Sequence, residues 1–233
     1  FGTFVDFALG YEWDDFTGCD VMGNSFICYN GDDYDGYTGS PKPENYCEFP
    51  PAQSVTYLAG PFLDPDGADD PTGGCDYSIN GLNFDNDIVD DERYGLCYFL
   101  YLNDGPGIIS WPHFAEEYYE RLRGYWRDTN HIVFGEWGYD WGEYYTKTPC
   151  RYMFPGETDP MNWGTGCELP ALGYNQNGKW WTQEDEGHYP GYAAGMGSVG
   201  PFSFHPGDIH EIDMAYVFAN SYYNADSSKN LLI

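Results

Sequence analysis

The chain has 233 residues, with 38 Asp and Glu against 9 Lys and Arg, a formal charge of −29 and a pI near 4.1. Such a surface repels phosphate backbones and anionic lipid headgroups, which argues against nucleic acid as a partner and against binding at a membrane surface, and no direct membrane insertion is expected. Fifteen Phe, 23 Tyr and 8 Trp supply a core that a disordered acidic chain would lack, while 30 Gly and 16 Pro interrupt long helices. The composition predicts an all-β protein.

Short apolar runs between turns predict strands over 4–9, 25–29, 55–62, 95–102, 131–134, 201–204 and 209–218. In the last of these, His210, Ile212, Met214, Tyr216 and Phe218 alternate with a more polar set, so that face is expected to meet the core. One segment departs from the strand pattern. Over 112–124, Pro112 stands near the start, acids precede bases, and Phe114, Tyr118, Leu122 and Tyr125 recur at roughly helical spacing before Gly124. The fold expected is a β-sandwich-like domain with long turn-rich loops and one short helix near 112–124. The phrase GPFLDPDG at 60–67 is echoed by GPFSFHPGD at 200–208, as a strand-and-turn device used twice would be.

Acids are unevenly spread: residues 1–105 hold 21 acids and two bases, the remainder 17 acids and seven bases. Cations should therefore collect on the N-terminal half. Two turns there have the alternate hard-oxygen spacing of a calcium loop: Asp64, Asp66, Asp69 and Asp70 around Gly67, and Asn83, Asp85, Asp87 and Asp91, with Asp90 and Glu92 beside them. The second is not an EF-hand, because Ile88 replaces the turn glycine and Tyr94 the closing glutamate. Asp14, Asp15 and Asp20, and Asn30, Asp32 and Asp35, form weaker candidates of the same kind. Solvated turns rich in Asp and Asn are the plain alternative for each cluster. Calcium is the cofactor expected.

The GxSxG, HExxH, P-loop and GxGxxG motifs are absent, and a carboxylate pair for glycoside hydrolysis cannot be singled out among 38 acids. The chain is read as non-enzymatic. Trp137 and Trp141, near Tyr144 and Tyr145, and Trp180 beside Trp181 are candidates for stacking on sugar rings, with core packing as the plain alternative. Seven cysteines without a CxxC pattern suggest disulfides in an oxidising compartment: three bridges would leave one thiol over, and Cys150 with Cys167 is the candidate pair. No apolar run approaches the length that spans a bilayer. The chain opens on the strand-like FGTFVDFALG and stops at LLI, so residues 1–233 are expected to be one module, an internal piece of a longer exported protein.

The phrases FGTFVDFALGYEWDDFTGCDV, YNGDDYDG, INGLNFDNDIVDDERYG, YYERLRGYWRD, CRYMFPGETDPMNWGTG and GPFSFHPGDIHEIDMAYVFA, in this order, resemble a module of large secreted proteins of Bacteroidota that carry a type 9 secretion sorting domain. The resemblance runs from about Phe1 to Tyr222 and implies export across the outer membrane, with an extracellular or outer-surface location. The function expected is a calcium-stabilised structural, adhesive or scaffold module whose partners are other surface proteins or glycans. The alternatives are a carbohydrate-binding module using exposed Trp, an extracellular hydrolase, and a self-assembling subunit of a surface filament.

Overall fold

The apolar runs pair through backbone hydrogen bonds into two antiparallel sheets, seen in a computed structural model that describes residues 1–37, 39–40, 42–43, 45–140, 147–170 and 180–220. Among the described residues the strands are β1 (Gly2–Asp6), β2 (Asp15–Asp20), β3 (Ser25–Asn30), β4 (Pro51–Ala59), β5 (Tyr98–Leu102), β6 (Ala194–Ser198) and β7 (Asp213–Asn220). One sheet has the order β1-β6-β5 and the other β2-β3-β4-β7. The architecture is all-β and sandwich-like, as the composition predicts. The runs at 131–134 and 201–204 form no strand; 131–134 makes only isolated bridges, Tyr125 to His131 and Val133 to Pro149.

The core lies where the sheets face each other. Phe26 of β3 stacks on Phe99 of β5 with ring centroids 5.4 Å apart, and Phe7 meets Phe26 edge-on at 5.9 Å. The sequence AGMGS of β6 carries little apolar surface of its own, yet every residue in it is buried. A Cβ on Gly195 would stand 2.7 Å from the Phe99 ring, and one on Gly197 would stand 2.6 Å from the Phe26 ring. The strand therefore contributes its backbone, and the neighbouring rings fill the space where side chains would be. Gly197→Ala is expected to lower stability by about 1–3 kcal/mol through overpacking. A urea midpoint equal to that of the wild type would show that Phe26 can withdraw at no cost.

The helix, α1, spans Ala115–Leu122, inside the predicted range. Gly124 ends it with φ +79°, a backbone geometry that favours glycine. Its buried face differs from the predicted stripe: Phe114 and Tyr118 are exposed, whereas Arg121 is fully buried. The Arg121 guanidinium donates to the carbonyls of Tyr125 (2.8 Å), Ile108 (2.6 Å) and Ser110 (3.2 Å) and lies over the Trp126 ring. Carbonyls that no strand or helix satisfies are thereby paired, which a Phe or Leu in that place could not achieve.

In β7 the alternation holds only at the start. Met214 and the preceding Ile212 pack on the core, while Tyr216 and Phe218 are exposed along with Val217. Among the described residues β7 pairs with β4 alone, so it is an edge strand.

Candidate functional site

The two strongest acidic turns, separate in sequence, form one interlocked double loop. Asp90 accepts the backbone N–H groups of Asp66 and Gly67, both at 2.8 Å, while its own N–H donates to the Ala68 carbonyl at 3.0 Å. In the opposite direction, Asp69 accepts from the N–H groups of Asn86 (3.3 Å) and Asp87 (2.6 Å). Asp70 donates its N–H to the carboxylate of Glu92 at 2.6 Å, and its carbonyl accepts from Asp85 at 2.8 Å. Each loop thus supplies the anions that cap the other's turn amides. Within the second loop, the Asn83 amide donates to the Asp91 carbonyl and the Asn86 amide to the Asp91 carboxylate.

The Asn/Asp spacing has a backbone reason as well as a ligand one. Asn83, Asp85, Asp87 and Asp90 all have φ between 57° and 70°, the left-handed region that Asn and Asp tolerate best after glycine. Ile88 stands outside this series and is exposed. Residues 64–92 contain ten acids and no base. Partial burial raises the Asp70 carboxyl pKa, with Asp66 and Glu92 adding like charge. Asp64 moves the other way, because its carboxylate accepts from both the hydroxyl (2.7 Å) and the N–H (2.6 Å) of Ser203. This contact joins the two echoed phrases, 60–67 and 200–208, side by side. A cleft of about 500 Å³ lies there, lined by Phe62, Asp64, Asp90, Ser203, His205 and His210.

Arg93 fixes the base of the double loop. Its Nε donates to the Gly60 carbonyl (2.7 Å) and its Nη2 to the Glu211 carbonyl (2.6 Å), with Asp213 3.8 Å from Nη1. The disulfide joins Cys75 to Cys167, so the stretch between the two acidic loops is pinned to the turn that follows Trp163–Thr165.

That bridge corrects the predicted Cys150–Cys167 pair. Cys150 is buried, with its N–H on the Ile132 carbonyl, just ahead of a segment whose Arg151 and Met153 exchange backbone bonds with Phe99. Cys167 instead lies in a left-handed turn beside Cys75. The other five cysteines are free thiols rather than members of further bridges; Cys19, Cys28, Cys97 and Cys150 are buried and Cys47 half-buried. Burial raises the thiol pKa of those four, that of Cys97 to about 12, which keeps them protonated and unreactive.

The weaker acidic candidates divide. Asp20 caps the Gly23 N–H at the β2–β3 turn (2.8 Å), whereas Asp14, Asp15, Asn30, Asp32 and Asp35 gather where β2 and β3 meet the chain at 31–36. Among the described residues no three Asp, Glu, His or Cys side chains stand at ligand spacing around one point. The donor set in both acidic regions is nevertheless oxygen only, which suits a hard cation.

The aromatic candidates fare differently. Trp141, with Tyr144 and Tyr145, lies outside the described residues. Trp180 is half-buried and Trp181 fully buried. Trp137 has one face stacked on His188, with centroids 3.6 Å apart and planes 4° from parallel, so a sugar cannot use that face. Trp13, not singled out from the sequence, is more exposed and stands 5.8 Å from Tyr192. Burial drives the His188 pKa down to about 4. The unfolded imidazole takes its proton near 6.5 and the folded one only near 4, so protons favour the unfolded chain between those values. Stability present above pH 6.5 should fall by about 1 kcal/mol from pH 7 to pH 5, less than full burial would give because the residue is only half-buried. His188→Phe should remove that part of the pH dependence; an identical pH profile would place its origin elsewhere.

Comparison of the chain with protein families, with curated proteins and with solved structures finds no match. Among the described residues no helix is long and apolar enough to cross a membrane.

Proposed function

We propose that this chain is a non-enzymatic, calcium-stabilised module of a protein at the outer cell surface or outside the cell, exported by the type 9 route, with a structural, adhesive or scaffold role. The observation that carries the reading is the double loop: ten carboxylates and no base over 64–92, interlocked with each other and pinned by a disulfide. Like charges held this close favour a divalent counter-ion. An ion there would be met by one or two carboxylates, with backbone and water oxygens completing its shell. The disulfide suits an oxidising compartment.

Limited proteolysis tests this reading. Calcium should slow cleavage within 64–92 in the wild type and should not do so in an Asp69→Asn/Asp90→Asn variant. Equal cleavage rates with and without calcium would overturn the metal part of the reading. Protease treatment of intact cells should degrade the chain, and full protection would overturn its surface location.

One observation favours self-assembly as a second reading. Among the described residues the outer edge of β7 pairs with no strand, and Tyr216, Val217 and Phe218 on that strand are exposed; such an edge is a template for another strand. Val217→Lys should then shift a concentration-dependent oligomer to monomer in sedimentation.

A further inference from the structure

The acidic cluster near the start of the chain is built differently from the double loop. Asp15 opens β2 at 2 % exposure, and neither oxygen of its carboxylate has a hydrogen-bond partner. Its neighbour Asp14 accepts the Gly36 N–H on Oδ2 at 2.7 Å, while Oδ1 is buried and unpartnered. Asp35, fully buried, accepts the N–H groups of Tyr11 (2.7 Å) and Tyr46, and its carboxylate fills the place where a Cβ on Gly10 would stand. The same segment serves Asp15, whose ionised form the Leu9 amide favours without closing a hydrogen bond. Desolvation, with neighbouring carboxylates adding to it, raises the pKa of all three acids. Among the described residues no Lys or Arg forms an ion pair with them, and Lys42 lies over the Tyr11 ring instead.

Buried carboxylate oxygens require a partner. A proton would neutralise one group and still leave oxygens without donors, whereas a hard divalent cation takes lone pairs from several at once. We propose that Asp15 and Asp14, with Asp35 beside them, form a second divalent-cation site of the calcium class, the ion held by the Asp15 carboxylate and Asp14 Oδ1 and completed by backbone or water oxygens. Asp32 is the outer member of the cluster, already engaged with the Tyr34 N–H and the Asn30 amide. The site stands independently of the double loop.

Calorimetric titration of calcium chloride into the whole chain tests the assignment. The wild type is compared with Asp15→Asn, Asp14→Asn and the loop variant Asp69→Asn/Asp90→Asn, with near-UV circular dichroism confirming that each is folded. Asp15→Asn should bind one ion fewer than the wild type, or bind that ion roughly tenfold or more weakly. Asp14→Asn, at a half-buried position, should weaken the same ion and serves in its place if Asp15→Asn does not fold. Stoichiometry and affinity unchanged in the Asp15 and Asp14 variants overturn this site, even where the loop variant loses an ion. Loss in these variants with none in the loop variant supports it and overturns the double-loop site. A wild type that binds no calcium overturns both.

Discussion

Replacing Cys75 and Cys167 by serine is expected to lower stability by about 4–5 kcal/mol and Tm by roughly 10 °C or more, the loss of a cross-link over a large loop. The bridge spans a sequence separation of 92, so its removal releases much of the acidic half of the chain from the turn after Trp163–Thr165. Loop-closure entropy sets the size of the effect. Electrostatics adds to it, because the freed segment carries the ten acids of 64–92 and its unfolded form relieves their repulsion. Thermal melts of the oxidised protein and of the double serine variant at two salt concentrations would separate the contributions. Salt should narrow the gap between them without closing it. A gap below about 1 kcal/mol would mean that the loops hold the corner unaided.

The second large effect belongs to Trp181. Its ring is fully buried, with Phe134 at 4.5 Å and Phe154 at 5.3 Å between centroids, and its indole N–H donates to the Glu136 carbonyl at 3.2 Å. Trp181→Ala should cost about 3–5 kcal/mol, through the cavity and the orphaned carbonyl together. Trp181→Phe keeps most of the ring and should cost about 1–3 kcal/mol, chiefly the unpaired carbonyl. Chemical denaturation of the pair resolves the two contributions; equal losses would mean that the hydrogen bond, rather than the packing, carries the site.

Much of the architecture was legible in the residues. Runs such as SFICYN and YFLYL read as strands because apolar side chains over such short spans have no other way to be buried together. Pro112 and Gly124 bracketed the helix correctly. Two strands escaped, β2 and β6, because glycine replaces the side chains that would announce them. The space beside Gly195 and Gly197 is filled by rings from β5 and β3, and a Cβ on Gly18 would meet the Phe154 carbonyl at 2.7 Å. Arg121 was illegible for the converse reason: its burial depends on carbonyls at 108, 110 and 125 that only the folded chain brings together.

The site was legible in parts. Each acidic turn could be identified by itself, since Asp and Asn at alternate positions suit both oxygen ligation and left-handed backbone. Their union could not, because Asp90 caps amides 23 and 24 residues away and no local pattern encodes that pairing. The Cys150–Cys167 expectation failed on the same ground: closeness in sequence stood in for closeness in space, and Cys75 lay 92 residues from its partner. The stacking of His188 on Trp137 is equally hidden in the sequence, which is why sugar stacking and core packing both stay open for that tryptophan until the fold is seen.

The most direct test of a calcium-stabilised module is a thermal melt of the whole chain in EGTA and in millimolar calcium at constant ionic strength. Tm should be higher in calcium by roughly 5 °C or more, an effect recovered when calcium is added back and not reproduced by magnesium. Coincident melting curves in chelator and in calcium would contradict it.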